Sequence, residues 1–246
     1  FKGFKSPYFS TYCLQELVKK YGSEKIYRGG LRVYSTLDSK LQNYGQDCVR
    51  WGVDYGISGY AYCDQGALVC IENKTGYIRA MVGGYEYKQN DQFNRSWQAK
   101  RQPGSSFKIF VYTAALERGY TPDSTCYDSP VTFTTPGGES YSPMNSDHKF
   151  YGAISLRDAI RWSRNVVAVK TIDDVGIDTV INYAHKMGIK EKLPPVLSLA
   201  LGSATVSPLE MASAVSVIPD MGIKFEPTTI IKIVDSDGNI IEDNSR

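Results

Sequence analysis

The chain has 246 residues, 42% hydrophobic and 22% charged, which is enough to bury a sizeable core and too apolar for a disordered segment. Its 28 basic and 26 acidic residues nearly cancel to a formal charge of +2, so composition points neither to nucleic acid nor to a strongly acidic partner. No run approaches the roughly 18 consecutive apolar residues of a membrane-spanning helix, and no signal-like start is present.

In chain order, Ser10 to about Tyr21 reads as a helix, with Leu14, Leu17 and Val18 on one face. Residues 31–36 alternate like a strand, after which Asp38 is placed to cap a helix running through Leu41 and Val49 toward Trp51. The glycine-bearing stretch from Gly52 to Gly59 reads as a loop, and a soft boundary falls at about residue 62. Two β-favouring runs, 67–71 and 77–82, flank Asn73-Lys74-Thr75-Gly76, a hairpin signal in which Gly76 supplies a positive φ.

A polar stretch, 91–101, leads to the breaker Pro103-Gly104. From Ser105 to Arg118 the chain then predicts a helix apolar on more than one face, stopped by Gly119 and expected to lie in the core. A long loop is expected over 121–150. Helices are expected from Leu156 to about Asp173, from Ile177 to Met187 and from Pro208 to about Ile218, and strands return at 229–234 and 239–241. There are no repeats. The five cysteines (Cys13, Cys48, Cys63, Cys70 and Cys126) form no C-x-x-C, and the only histidines, His148 and His185, lie far from them in sequence. Neither a metal site nor a cofactor is therefore expected. The abrupt ends, at Phe1 and at Arg246 just after a strand, are expected to be cuts within a larger protein.

Ser105-Ser106-Phe107-Lys108 is an S-x-x-K element at the start of the buried helix. Residues three apart share a helix face, so the Lys108 amine is within reach of the Ser105 hydroxyl. A serine is a poor nucleophile until a base takes its proton, and a desolvated lysine is neutral often enough to serve. The helix N-terminus adds N–H donors where an oxyanion would form. Ser163-Arg164-Asn165, an S-x-N within the next helical stretch, offers Ser163 as a proton relay and Asn165 as a holder of a substrate amide or of the lysine. Each element alone is a weak signal, and the rival reading of each is a solvated polar turn.

Together they resemble the penicillin-binding proteins, and more narrowly the transpeptidase domain of the bifunctional class A enzymes. The resemblance rests also on Val33-Tyr34-Ser35-Thr36-Leu37-Asp38 with Leu41-Gln42, on residues 76–84 and on Phe93-Asn94-Arg95 with the run 98–108. Residues 199–203 and 206–212 extend it further. It implies an α/β (α+β) fold in which an antiparallel sheet is covered by helices with an added helical lobe, here C-terminally truncated. It also implies a linker region over 1–62 and the N-terminal part of the transpeptidase domain over 63–246.

The implied function is D,D-transpeptidation of peptidoglycan stem peptides through an acyl-enzyme on Ser105, with Lys108 as base, Ser163 as relay and Asn165 as substrate contact. β-Lactams are the implied covalent inhibitors. The implied setting is the outer face of the bacterial cytoplasmic membrane, with the anchor and a glycosyltransferase domain in parts of the parent outside this chain. Two departures stand out. The family's K-T-G strand element is absent after Asn165, while Lys74-Thr75-Gly76 lies before the nucleophile in a turn; and Ile109 stands where proline is common. A serine β-lactamase would need aspartate where Arg164 stands. A β-lactam sensor would lack the linker-like residues 31–42.

Overall fold

A computed structural model describes residues 3–59, 63–135 and 137–246. In chain order the chain forms α1 (Pro7–Tyr21), α2 (Ser23–Arg28), β1 (Arg32–Ser35), α3 (Ser39–Ser58), β2 (Leu68–Glu72), β3 (Tyr77–Val82) and α4 (Lys108–Glu117). These are followed by β4 (Thr125–Asp128), β5 (Phe133–Thr134), β6 (Ser140–Tyr141), β7 (Gly152–Ser155), α5 (Leu156–Arg161) and α6 (Asn165–Val175). The chain then runs through α7 (Ile177–Met187), α8 (Pro208–Ser216), β8 (Ile230–Val234) and β9 (Ile240–Asp243). It divides into two compact units, residues 1–100 with 207–246, and residues 101–206. The boundary expected at about residue 62 lies outside the described residues.

In the first unit, α1 starts three residues before its expected Ser10 because Pro7, whose missing N–H costs nothing in a first turn, opens it. Its Phe9, Cys13 and Leu17, spaced by one helical turn, pack with Ile78 and Met81 of β3 and Ile230 and Ile233 of β8. Strand β8 lies between β1 and β9, antiparallel to both. Thr36 links this sheet to the β2–β3 hairpin. Its N–H donates to the Thr229 carbonyl (3.0 Å) and its hydroxyl to the Ile78 carbonyl (2.7 Å). The fold class is as expected, antiparallel strands covered by helices.

Asp38 caps α3 through the Lys40 and Leu41 N–H groups, as anticipated. The helix does not stop near Trp51, however, but runs to Ser58, so the expected loop over 52–59 is helical. The buried stripe Gln42, Gly45, Val49, Val53 and Gly56 keeps helical spacing throughout, and tertiary packing overrides the poor propensity of glycine. Gly45 is small for a reason, since a Cβ there would sit 3.2 Å from the Leu68 side chain. Gln42 clamps the helix to β3, donating to the Met81 carbonyl (3.1 Å) and accepting from its N–H (2.9 Å).

The second unit is built on α4, whose Phe110, Val111, Ala114 and Ala115 are fully buried against α6 and α7. The expected loop over 121–150 instead contains strands β4, β5 and β6. β4 pairs with β7 and β5 with β6. β4 alternates exposed and buried residues but buries Cys126 and Asp128, so its inward face carries no run of apolar residues to betray a strand. The helix expected from Leu156 to about Asp173 is two helices, α5 and α6, separated at Trp162-Ser163-Arg164.

Candidate active site

Ser105 lies in a single 3₁₀ turn, Gly104–Phe107, that leads directly into α4. Gly104 enters the turn at φ +58°, and Gly202, itself left-handed, backs it so closely that a Cβ would sit 2.3 Å from the Gly104 carbonyl oxygen. Arg101 and Val206 pair their backbones alongside, at 3.0 Å in both directions. The turn is therefore held from behind by residues 202–206, a stretch whose composition alone assigned it no role.

Ser105 and Ser106 are both exposed and differ in commitment. The Ser106 hydroxyl donates to the Pro103 carbonyl at 2.7 Å. Among the described residues the Ser105 hydroxyl has no such partner, which leaves it available to a ligand. Phe107, by contrast, is fully buried and pins the turn to the core.

One turn on, Lys108 is 4% exposed, and its amine donates three hydrogen bonds: to the Ser163 carbonyl (2.7 Å), the Ser163 hydroxyl (2.9 Å) and the Asn165 side-chain oxygen (2.7 Å). An ammonium has three protons, and all three are used. Burial, reinforced by the nearby positive charge of Arg164, lowers its pKa to about 8. When the proton is lost the amine keeps two donors and gains a lone pair, with its neighbours still in place to orient it.

Ser163 is outside any helix, at φ +52°, in the break between α5 and α6. The Ser163 carbonyl and hydroxyl both face Lys108, while Asn165, the first residue of α6, turns its oxygen to Lys108 and its amide N–H to the Met144 carbonyl (2.9 Å). The structure thus brings Lys108, Ser163 and Asn165 into one hydrogen-bonded cluster and leaves Ser105 exposed in the turn that precedes the lysine. Arg164, which sequence reasoning weighed only against a β-lactamase and gave no role in the site, is buried and ion-paired to Asp128 and Asp147.

Lys74-Thr75-Gly76 sits in the β2–β3 turn, where Thr75 donates to Glu72 (2.5 Å). A Cβ on Gly76 would meet the Glu226 carbonyl oxygen at 2.6 Å. Among the described residues no helix is long and apolar enough to cross a membrane.

Residues 66–245 match the family described as penicillin binding protein transpeptidase domain. Penicillin-binding protein 1A of Pseudomonas aeruginosa is 42% identical over 179 residues, covering 72% of this chain and 22% of that protein. Penicillin-binding protein 2D of Bacillus subtilis is 35% identical over 244 residues, covering 98% of this chain and 34% of that protein. The crystal structure of penicillin-binding protein 1A from Haemophilus influenzae superposes with a TM-score of 0.88 at 26% identity, over 97% of this chain and 50% of that one. The chain therefore spans well under two thirds of the relatives it matches.

Proposed function

Because the chain belongs to the penicillin-binding protein transpeptidase family, whose members are acyl-transferases, we propose that it forms the nucleophile side of a serine D,D-transpeptidase acting on peptidoglycan stem peptides. The single observation that carries this reading is the buried Lys108 amine, held by Ser163 and Asn165 one turn behind an exposed Ser105.

In this reading neutral Lys108 accepts the Ser105 proton as the serine oxygen attacks the penultimate D-Ala carbonyl. The tetrahedral intermediate collapses, the C–N bond breaks, and the departing D-Ala amine takes a proton that Ser163 passes on from Lys108. The amine of a neighbouring stem peptide then attacks the acyl-enzyme, with the proton flow reversed. In the same reading Asn165, whose amide is anchored to the Met144 carbonyl, receives a substrate amide. A β-lactam would acylate Ser105 by the same attack and remain attached because its ring-opened product carries its leaving group tethered.

The sequence after Asn165 lacks the K-T-G element, so the reading assigns that strand, with a glycosyltransferase domain and a membrane anchor, to other parts of the intact protein. The linker and transpeptidase division near residue 62, and a place on the outer face of the cytoplasmic membrane, belong to the same proposal.

The test is covalent labelling of the intact protein by a fluorescent penicillin. Ser105→Ala should abolish it, and Ser106→Ala should leave most of it, since the Ser106 hydroxyl is spent on Pro103. Labelling that survives Ser105→Ala and vanishes in Ser106→Ala overturns the assignment.

A further inference from the structure

Ser163 and Asn165 face Lys108, and the residue between them faces the other way. Arg164 is 5% exposed. Its Nε donates to Asp128 Oδ2 (2.9 Å), one Nη to Asp147 Oδ2 (2.9 Å) and the other Nη to the Lys149 carbonyl. Its guanidinium also lies over the Tyr151 ring, 4.7 Å from the centroid. Asp128, fully buried on β4, is in turn held by the Asn145 amide (2.7 Å) and the Tyr151 N–H (3.1 Å). Asn145 accepts from the N–H of Val166, in the first turn of α6 (3.2 Å).

One side chain thus ties the helix break to β4 and to the loop that presents the Met144 carbonyl to Asn165. No glycine or proline lies between Leu156 and Val175, so no helix-breaking residue type accounts for the interruption there. Ser163 adopts a left-handed φ that serine enters only when its surroundings impose it.

We propose that Arg164 is the positioning residue of this site: anchored to Asp128, Asp147 and the Lys149 carbonyl, it turns the chain through Ser163 so that the Ser163 and Asn165 oxygens converge on Lys108. The proposal rests on the transpeptidase reading. A planar fork suits this site, because its separated nitrogens reach three acceptors spread over two elements at once, whereas the three protons of a lysine radiate from one nitrogen and serve only acceptors gathered around that point. The charged and titratable groups around Arg164 are Asp128 on β4, Asp147 and Tyr151 in the loop, and Lys108 on α4, while Asp128 also feels the charge of Lys170 on α6. The Lys170 amine is itself held by the Tyr127 and Ser129 carbonyls. Asp147 is the accessible counter-charge, with a side chain 38% exposed.

The test measures β-lactam acylation of the intact protein at saturating drug from pH 6 to 10, for wild type, Arg164→Lys and Asp147→Asn, with thermal melts alongside. Arg164→Lys is expected to cut the saturating rate of folded protein about 10- to 100-fold, the scale of a displacement of about 1 Å. Asp147→Asn keeps an acceptor oxygen and removes the charge, so less of the Arg164 charge is neutralised. The Lys108 proton is then released more easily, and the midpoint of the rate profile moves to lower pH. A merely structural Arg164 would lower the melting temperature of Arg164→Lys while leaving its saturating rate at the wild-type value, and that result overturns the proposal. If Arg164→Lys does not fold, the saturating rate of Asp147→Asn above its midpoint decides: a several-fold loss supports positioning through the anchored guanidinium, and a wild-type plateau overturns it. Failure of the underlying reading looks different, since wild type itself would then not be acylated.

Discussion

Burying an amine has two separable consequences at Lys108, one for rate and one for stability. With its pKa lowered to about 8, a useful fraction is neutral near neutral pH, so acylation should rise with pH through that region. Lys108→Arg keeps the charge and removes the basicity, because a guanidinium stays protonated. The folded variant should bind drug and acylate about 10²–10⁴-fold more slowly, as read by stopped flow. Acylation within a few-fold of wild type would show that Lys108 only orients the site.

The stability consequence has the opposite sign from that of an ordinary surface ion pair. Between about pH 8 and the ordinary lysine value of 10.5 the unfolded chain still binds the proton and the folded chain has released it. Folding is therefore favoured as pH rises across that window, and the burden of burying the charge is fully present below it. Wild type should gain on Lys108→Met by about 3 kcal/mol across the window, in denaturant unfolding at the two pH values. A flat difference would mean that the amine is not desolvated in the folded protein.

Among the elements, the β2–β3 hairpin shows how a motif and a turn come apart. Gly76 sits at φ +70° with the Glu226 carbonyl where a Cβ would go. Gly76→Ala should cost about 1–3 kcal/mol, a melting-temperature loss of several degrees. Lys74 is exposed in the same turn, and Lys74→Ala should leave acylation within threefold of wild type; a loss beyond about 10-fold would give this K-T-G a part in the site.

The hairpin was legible because its signals are local: two β-favouring runs and a glycine turn. The S-x-x-K turn was legible for the same reason, with Pro103-Gly104 ahead of it and a wholly apolar helix behind. The break at Ser163 was not, because it is imposed by Arg164 reaching Asp128, 36 residues away in sequence. Nor was the length of α3, where the stretch that reads as a loop from Gly52 continues the helix with Val53 and Gly56 buried on the stripe begun by Gln42. Local chemistry could be read ahead of the structure; a turn fixed by a distant carboxylate could not.

At the scale of the whole chain, the first unit is assembled from segments far apart in sequence. β1, at residues 32–35, pairs with β8, at residues 230–234, from Arg32 opposite Val234 to Tyr34 opposite Lys232, and after a register shift Ser35 lies opposite Ile230. α1 supplies Phe9 and Leu17, 2% and 5% exposed, to the same core as Ile230 and Ile233. A chain trimmed to residues 63–246 follows the linker boundary that the family resemblance implies, yet it would lose the α1 side of that core and leave one edge of β8 unpaired. Each large apolar side chain so uncovered forfeits about 1.5–3 kcal/mol, and the removed segment contributes several, against a total stability of about 5–15 kcal/mol. An unpaired strand edge also templates association. The trimmed chain should therefore lack a cooperative melt by circular dichroism and run as aggregate on gel filtration, while the chain from residue 1 melts cooperatively. If the trimmed chain instead melts in one transition within a few degrees of the longer one, residues 1–62 are a connecting segment that adds little to the core, and the β1–β8 pairing is not what holds the first unit together.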